Sequence, residues 1–176
     1  MAFMLMHQGI GLDAFNDMPT QKALHALYEC CNCVPMAGDL AAGRPYDDHD
    51  ELFRRADALL FALSEGSVDA ILPAYPHVGR RPRSTKSQAE QCSVWHENPD
   101  LMAELDTAAK DYADQFGFDF VMFINRIDAG GVLAVIADRR HNDGETERKV
   151  VRNELAKINR TRLERMLGPE GGYQNW

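Results

Sequence analysis

Apolar residues recur at helical spacing along almost the whole chain, and one short run breaks the pattern: FDFVMFI, residues 118–124. A chain patterned this way buries its core by packing helix on helix. The expectation is an all-α, single-domain multi-helix bundle over residues 1–168, with 169–176 as a C-terminal tail. At 176 residues and 45% hydrophobic content it can form a real core and is not a disordered chain. FDFVMFI is too short and too continuously apolar for periodicity to assign, and it reads as a buried extended segment.

Local signals divide the helical pattern. Pro19 suits a first helical turn, followed by Leu24, Leu27, Tyr28 and Cys31 at helical spacing. Pro35 opens a short helix ending near Gly43. DDHDELFRRADALLFALSEG starts acidic, as the positive end of a helix dipole favours, and Gly66 is expected to close it. Ser67 is expected to cap a short helix carrying Ile71 and Leu72. PAYPHVGRRPRS, residues 73–84, is a loop, and TKSQAEQCSVW after it reads as a helix. Asn98 and Pro99 start a helix that Gly117 ends. Gly130 and Gly131 are expected to precede another, NDGE is a turn, and the last helix covers Glu145 to Leu167.

Charge and cysteines narrow the function classes. A net charge of −8 disfavours general nucleic-acid binding, which needs a basic face. No apolar run approaches a membrane span and no signal peptide is read at the N-terminus; the acidic composition and reduced cysteines favour the cytoplasm. Cys30 and Cys33 stand at C-x-x-C spacing, but no second such pair completes a four-ligand zinc site, and Cys30, Cys31, Cys33 and Cys92 read as reduced core thiols; no metal is expected.

The candidate chemistry gathers around the loop. His77, Arg80, Arg81, Arg83 and Lys86 form either a solvated basic loop or an anion site at the start of the next helix. Ser87, Glu90 and Gln91 project from one helical face, which is either a hydrophilic outer face or a grip for a small polar heterocycle. Tyr75 and His77 are titratable neighbours, whereas His96 reads as a helix C-terminal cap. In the last helix Arg162 shares a face with Glu154 and Ile158. It either snorkels from the core edge or points into a polar pocket. No phosphate-binding glycine loop, nucleophile elbow or metal-binding helix is present.

Taken in order, FNDMP, the cysteine pair, AAGRPYDD, YPHVG, SQAEQ, YADQFGFDF, RRHNDGETE and ELAKINRTRL resemble the 2-oxo-4-hydroxy-4-carboxy-5-ureidoimidazoline (OHCU) decarboxylase family over nearly the whole chain. The resemblance implies a compact all-α protein, usually a homodimer, working without cofactor or metal. Its reaction removes CO2 from a ureidoimidazoline acid of urate breakdown and protonates one face of the carbanion, giving (S)-allantoin. Such a protein must hold the anion, exclude water and deliver one proton. The resemblance makes Glu90 a catalytic residue and places Ser87 and Gln91 on the ring or ureido group. It gives Arg162 to a carboxylate or carbonyl oxygen. Pro76 and the backbone of Phe120, Val121 and Phe123 line the pocket.

The chain departs from the family at one chemically important position. The family loop reads H-P-x-[LIV]-G with histidine as general acid/base; here it is Tyr75-Pro76-His77-Val78-Gly79. A phenol of pKa near ~10 donates a proton but is a feeble base at pH 7. Tyr75 or His77 is therefore the proton donor, His77 only if the loop turns it inward. Val34 and Pro35 also stand where a tryptophan is common, and RRHN is one residue short of R-R-L-x-N. Two other readings stay open: a diverged enzyme of another small nitrogen heterocycle, and a non-catalytic ligand-binding relative.

Overall fold

Side chains cap several of the helices at their starts, and three helix starts differ from the sequence expectation. The computed structural model describes residues 8–80, 90, 94 and 98–169, which divide into two compact units. The first, residues 1–63 with 156–176, holds α1 (Leu12–Asp17), α2 (Thr20–Cys31), α3 (Val34–Ala42) and α4 (His49–Ala62). The second, residues 64–155, holds α5 (Glu65–Ile71), a 3-10 turn (Leu72–Ala74), α6 (Pro99–Phe116) and α7 (Ala129–Arg139). The last helix, α8 (Gly144–Leu167), begins in the second unit and ends in the first. The architecture is all-α, with no strand among the described residues.

In the first unit α2 packs on α3, and Ala23, Ala26, Leu27 and Cys30 of α2 and Met36, Ala37 and Leu40 of α3 are buried. The sequence segments FND and GRPY lock together here. Arg44 donates through Nη1 to the carbonyls of Phe15 at 2.7 Å and Met18 at 2.6 Å, satisfying the end of α1. The side chain of Asn16 brackets Tyr46, accepting from its N–H at 3.0 Å and donating to its carbonyl at 2.9 Å. Residues 9–11 donate their amides to the carbonyls of Arg165, Met166 and Leu167, the orphan acceptors at the end of α8.

Pro19 sits before the first turn of α2 rather than in it, its carbonyl accepting from Lys22 and Ala23. Gly66 does not close α4, and Ser67 does not cap the next helix. Leu63 turns extended, and the Ser64 hydroxyl accepts from Ser67 N–H at 3.1 Å, so Gly66 and Ser67 lie inside α5. A hydroxyl that satisfies an amide decides a helix start more strongly than a glycine placed nearby. Likewise Gly130 and Gly131 belong to the first turn of α7, because Asp128 caps it by accepting from Gly131 N–H at 2.8 Å. Asn98, Pro99 and Gly117 bound α6 as the sequence predicts. The expected helix after the loop lies outside the described residues apart from Glu90, which is helical, and Val94; residues 170–176 of the tail also lie outside. Among the described residues no helix is long and apolar enough to cross a membrane.

Candidate active site

The loop that carries Tyr75 comes close to α6 at Gly79 and is tied to it by the Arg80 side chain. After the 3-10 turn, Tyr75 becomes extended and its N–H donates to the Leu72 carbonyl at 3.0 Å. The Tyr75 and Val78 side chains are each only 2% exposed, while Pro76 and His77 are half-buried. Gly79 has φ +79°, and a Cβ there would lie 2.3 Å from the Asp106 nitrogen on α6. Arg80 then donates to Asp106 Oδ1 at 2.7 Å, and Lys110 pairs with Oδ2 at 2.6 Å. The Lys110 bond first, and Arg80 after it, hold the Asp106 carboxyl below the usual carboxylate range against the opposing effect of burial. Arg80, one of the candidate anion-binding residues, is thus a tether between loop and helix. Arg81, Arg83, Lys86, Ser87, Gln91, Cys92 and His96 lie outside the described residues.

Gly79→Ala is expected to destabilise the protein by more than ~1–2 kcal/mol, the cost of the left-handed conformation alone, because a backbone contact at 2.3 Å cannot relax by a rotamer change. Urea denaturation of the two proteins measures it; equal midpoints at equal slope would contradict the close approach.

The FDFVMFI segment has no neighbouring strand among the described residues. Phe118, Phe120 and Val121 are buried, and Met122, Phe123 and Ile124 are half-buried. Tyr112 of α6 meets Phe118 and Phe120 edge-on, with ring centroids 6.0 and 5.2 Å apart. Arg148 of α8 lies over the Phe118 ring, 4.0 Å from its centroid, while its guanidinium pairs with Asp69 of α5.

Beneath the segment is a buried charge network that the sequence reading missed. Arg139 is 6% exposed and Glu147 is 0% exposed. Glu147 Oε2 accepts from Arg139 Nε at 3.0 Å and Nη2 at 2.8 Å, and also from the Tyr112 hydroxyl. Its Oε1 accepts from Asn142 Nδ2 at 2.8 Å. Burial pushes the Glu147 carboxyl up, but the bonds from Arg139, Tyr112 and Asn142 outweigh it and leave the group below its ordinary range. Burial, then the bond to Glu147, pushes the Tyr112 phenol up. Arg139 Nη1 donates to the Val121 carbonyl at 2.8 Å, and Glu154 Oε2 accepts from Phe123 N–H at 2.7 Å. The only sequence signal was RRHNDGETE, in which an arginine and a glutamate eight residues apart flank a turn. Nothing in that spacing separates buried Arg139 from exposed Arg140, which bonds Gln115.

Of the candidate residues, Tyr75, Pro76, His77, Glu90, Phe120, Val121 and Phe123 all belong to the second unit, Glu90 being helical and half-buried. Arg162 belongs to the first. It is 3% exposed and donates through Nη1 to the Cys30 carbonyl at 3.1 Å, so its guanidinium is enclosed rather than snorkelling to water. Cys30, Cys31 and Cys33 are buried and form no disulfide. Burial pushes the Cys31 thiol up to about 11, which keeps it protonated and unreactive at neutral pH. Among the described residues, no three His, Cys, Asp or Glu side chains gather as a metal site would need.

Comparison with known proteins bears on the family and the fold. Residues 16–164 match the family model described as OHCU decarboxylase. The chain is 26% identical over 162 residues to the uric acid degradation bifunctional protein of a Bacillus species, covering 89% of this chain and 32% of that protein. It is 29% identical over 135 residues to the 2-oxo-4-hydroxy-4-carboxy-5-ureidoimidazoline decarboxylase of Halalkalicoccus jeotgali, covering 71% of this chain and 77% of that one. The chain therefore spans about a third of the Bacillus relative's length. Its fold resembles a crystal structure of OHCU decarboxylase in the presence of (S)-allantoin, with TM-score 0.69 and 19% identity over 80% of this chain and 95% of that one. A crystal structure of (S)-allantoin synthase superposes with TM-score 0.67 and 16% identity over 89% of this chain and 54% of that one.

Proposed function

This chain belongs to the OHCU decarboxylase family, and on that premise we propose that it is a carboxy-lyase converting OHCU to (S)-allantoin in urate breakdown, without a cofactor. The family match over residues 16–164 carries the reading. The carbon–carbon bond to the carboxylate breaks, CO2 leaves, and the electron pair stays on the ring, where the heterocycle delocalises it. A proton then reaches one face of that carbon.

Tyr75 is the proton donor in this reading. By the motif resemblance it stands for the family's histidine, and it is enclosed while His77 two residues on is half-buried. The phenolate left behind recovers its proton from solvent. The pinned geometry of the loop, with Gly79 against α6 and Arg80 on Asp106, supports this assignment, since one-face protonation requires a donor that does not wander. Glu90 holds the substrate hydroxyl or carboxyl in register, and the segment Phe120–Phe123 walls the ring. The family resemblance also supports a homodimer in the cytoplasm.

The test is direct. OHCU made in situ from urate by urate oxidase and hydroxyisourate hydrolase decays faster with the pure protein, and circular dichroism develops the sign of (S)-allantoin. Decay at the rate of the protein-free blank overturns the reading.

A further inference from the structure

A peptide segment that walls a reactive centre must hold its own dipoles still. In a sheet, neighbouring strands do this; FDFVMFI has none among the described residues. Two charged side chains stand in for them. The Val121 carbonyl accepts from the Arg139 guanidinium of α7 at 2.8 Å, and the Phe123 N–H donates to the Glu154 carboxylate of α8 at 2.7 Å. Two successive peptide groups are thus each fixed at one end, the first by a cation on its oxygen and the second by an anion on its hydrogen. Such charge-assisted bonds are roughly twice as strong as neutral ones.

The cation is itself immobilised. Three of its nitrogens are spoken for: Nε and Nη2 donate to Glu147, and Nη1 donates to Val121. Its guanidinium also lies over the Phe120 ring, 4.6 Å from the centroid. It cannot turn toward another acceptor without leaving the buried Glu147 carboxylate short of its counter-charge.

We propose that Arg139 and Glu154 are positioning residues that hold the Val121–Phe123 peptides in the geometry the substrate meets. This rests on the decarboxylase reading and on the pocket role of that segment. Neither side chain is assigned a contact with substrate; both act through the backbone between them. A displacement on the order of 1 Å in such a wall costs about 100-fold in rate.

Glu154 is half-buried and is the tractable arm. Glu154→Ala removes the acceptor, whereas Glu154→Gln retains a carbonyl oxygen of the same reach. Glu154→Ala is expected to lower kcat roughly 10- to 100-fold with KM changed less than about 3-fold. Glu154→Gln is expected to recover kcat to within about 3-fold of wild type, since it restores the hydrogen bond that fixes the wall. Hydrogen exchange at Met122–Ile124 should accelerate in the alanine variant and not in the glutamine variant. Arg139→Lys, which keeps the charge but loses the fork, is expected to share the kcat loss. Glu145→Ala, an exposed residue paired with Lys149 on the same helix, is the matched control with wild-type kcat.

Wild-type kcat in Glu154→Ala overturns the positioning role while leaving the decarboxylase reading intact. Equal loss in Glu154→Ala and Glu154→Gln also overturns it, since the bond and not the charge is what the geometry requires. An inert wild type overturns the decarboxylase reading and the positioning role with it.

Discussion

Glu147→Ala is expected to lose about 3–5 kcal/mol of folding stability, because it leaves the Arg139 guanidinium buried without its counter-charge. The residue is fully enclosed and its two oxygens serve Arg139, Tyr112 and Asn142, so one substitution removes the acceptor of four hydrogen bonds from three residues. For a chain of this length the loss corresponds to a fall of very roughly 10 °C in Tm. Replacing both partners tests the cause. Arg139→Met combined with Glu147→Ala removes both charges and is expected to recover at least half of the single-variant loss. Urea denaturation of wild type, both single variants and the pair closes this cycle. A Glu147→Ala protein within ~1 kcal/mol of wild type would show that the network is not paired as described.

The same carboxylate shapes the acid limb of stability. Its folded pKa lies below the ordinary value, so its contribution is complete above the unfolded carboxyl range of about 4.3. It is lost as pH falls through the folded pKa. Asp106, also held low by Lys110 and Arg80, adds in the same direction. Glu147→Gln should therefore flatten the dependence of stability on pH below about 4.3.

The second large effect is on catalysis. Glu90→Gln preserves shape and replaces the carboxyl by an amide, and Tyr75→Phe removes only the hydroxyl. Each is expected to lower kcat by roughly 10²–10⁴, the usual worth of a positioned acid or base. His77→Ala is expected to retain kcat within a few-fold, because that side chain stands half-exposed while Tyr75 is enclosed. Stopped-flow decay of freshly generated OHCU reads all three. If Tyr75→Phe stays active and His77→Ala does not, the donor is His77. If wild type is inert and Tyr75→His gains activity, the pocket keeps the family geometry and this chain's own substrate is another heterocycle or a ligand merely bound.

The helices show how far a sequence carries such an argument. Asn98, Pro99 and Gly117 bound α6 as read, because a cap and a left-handed stop are local chemistry, complete within a few residues. Val151, Leu155, Ile158, Leu163 and Met166 of α8 are all buried, as their spacing implied. The Gly66 and Gly130 boundaries failed for an equally local reason: Ser64 and Asp128 cap the helices ahead of those glycines, and a satisfied amide outweighs a flexible residue.

The site divides along the same line. The motif order alone pointed to Tyr75, Glu90 and the 120–123 segment, and helical periodicity alone pointed to an all-α chain. Arg139, Glu147 and Glu154 were plain charged residues on helix patterns, indistinguishable from Arg140 or Glu145 by composition. Their roles depend on which charges the packing removes from water, and on a segment tens of residues away whose peptides need partners. Hydrogen-bond demand from a strandless buried backbone is non-local, so periodicity carries no trace of it. Capping and hydrophobic spacing act within a few turns of chain, which is why the sequence by itself determined the helices. Burial of charge is settled only when the whole unit closes, which is why tertiary structure decided what holds the candidate site in place.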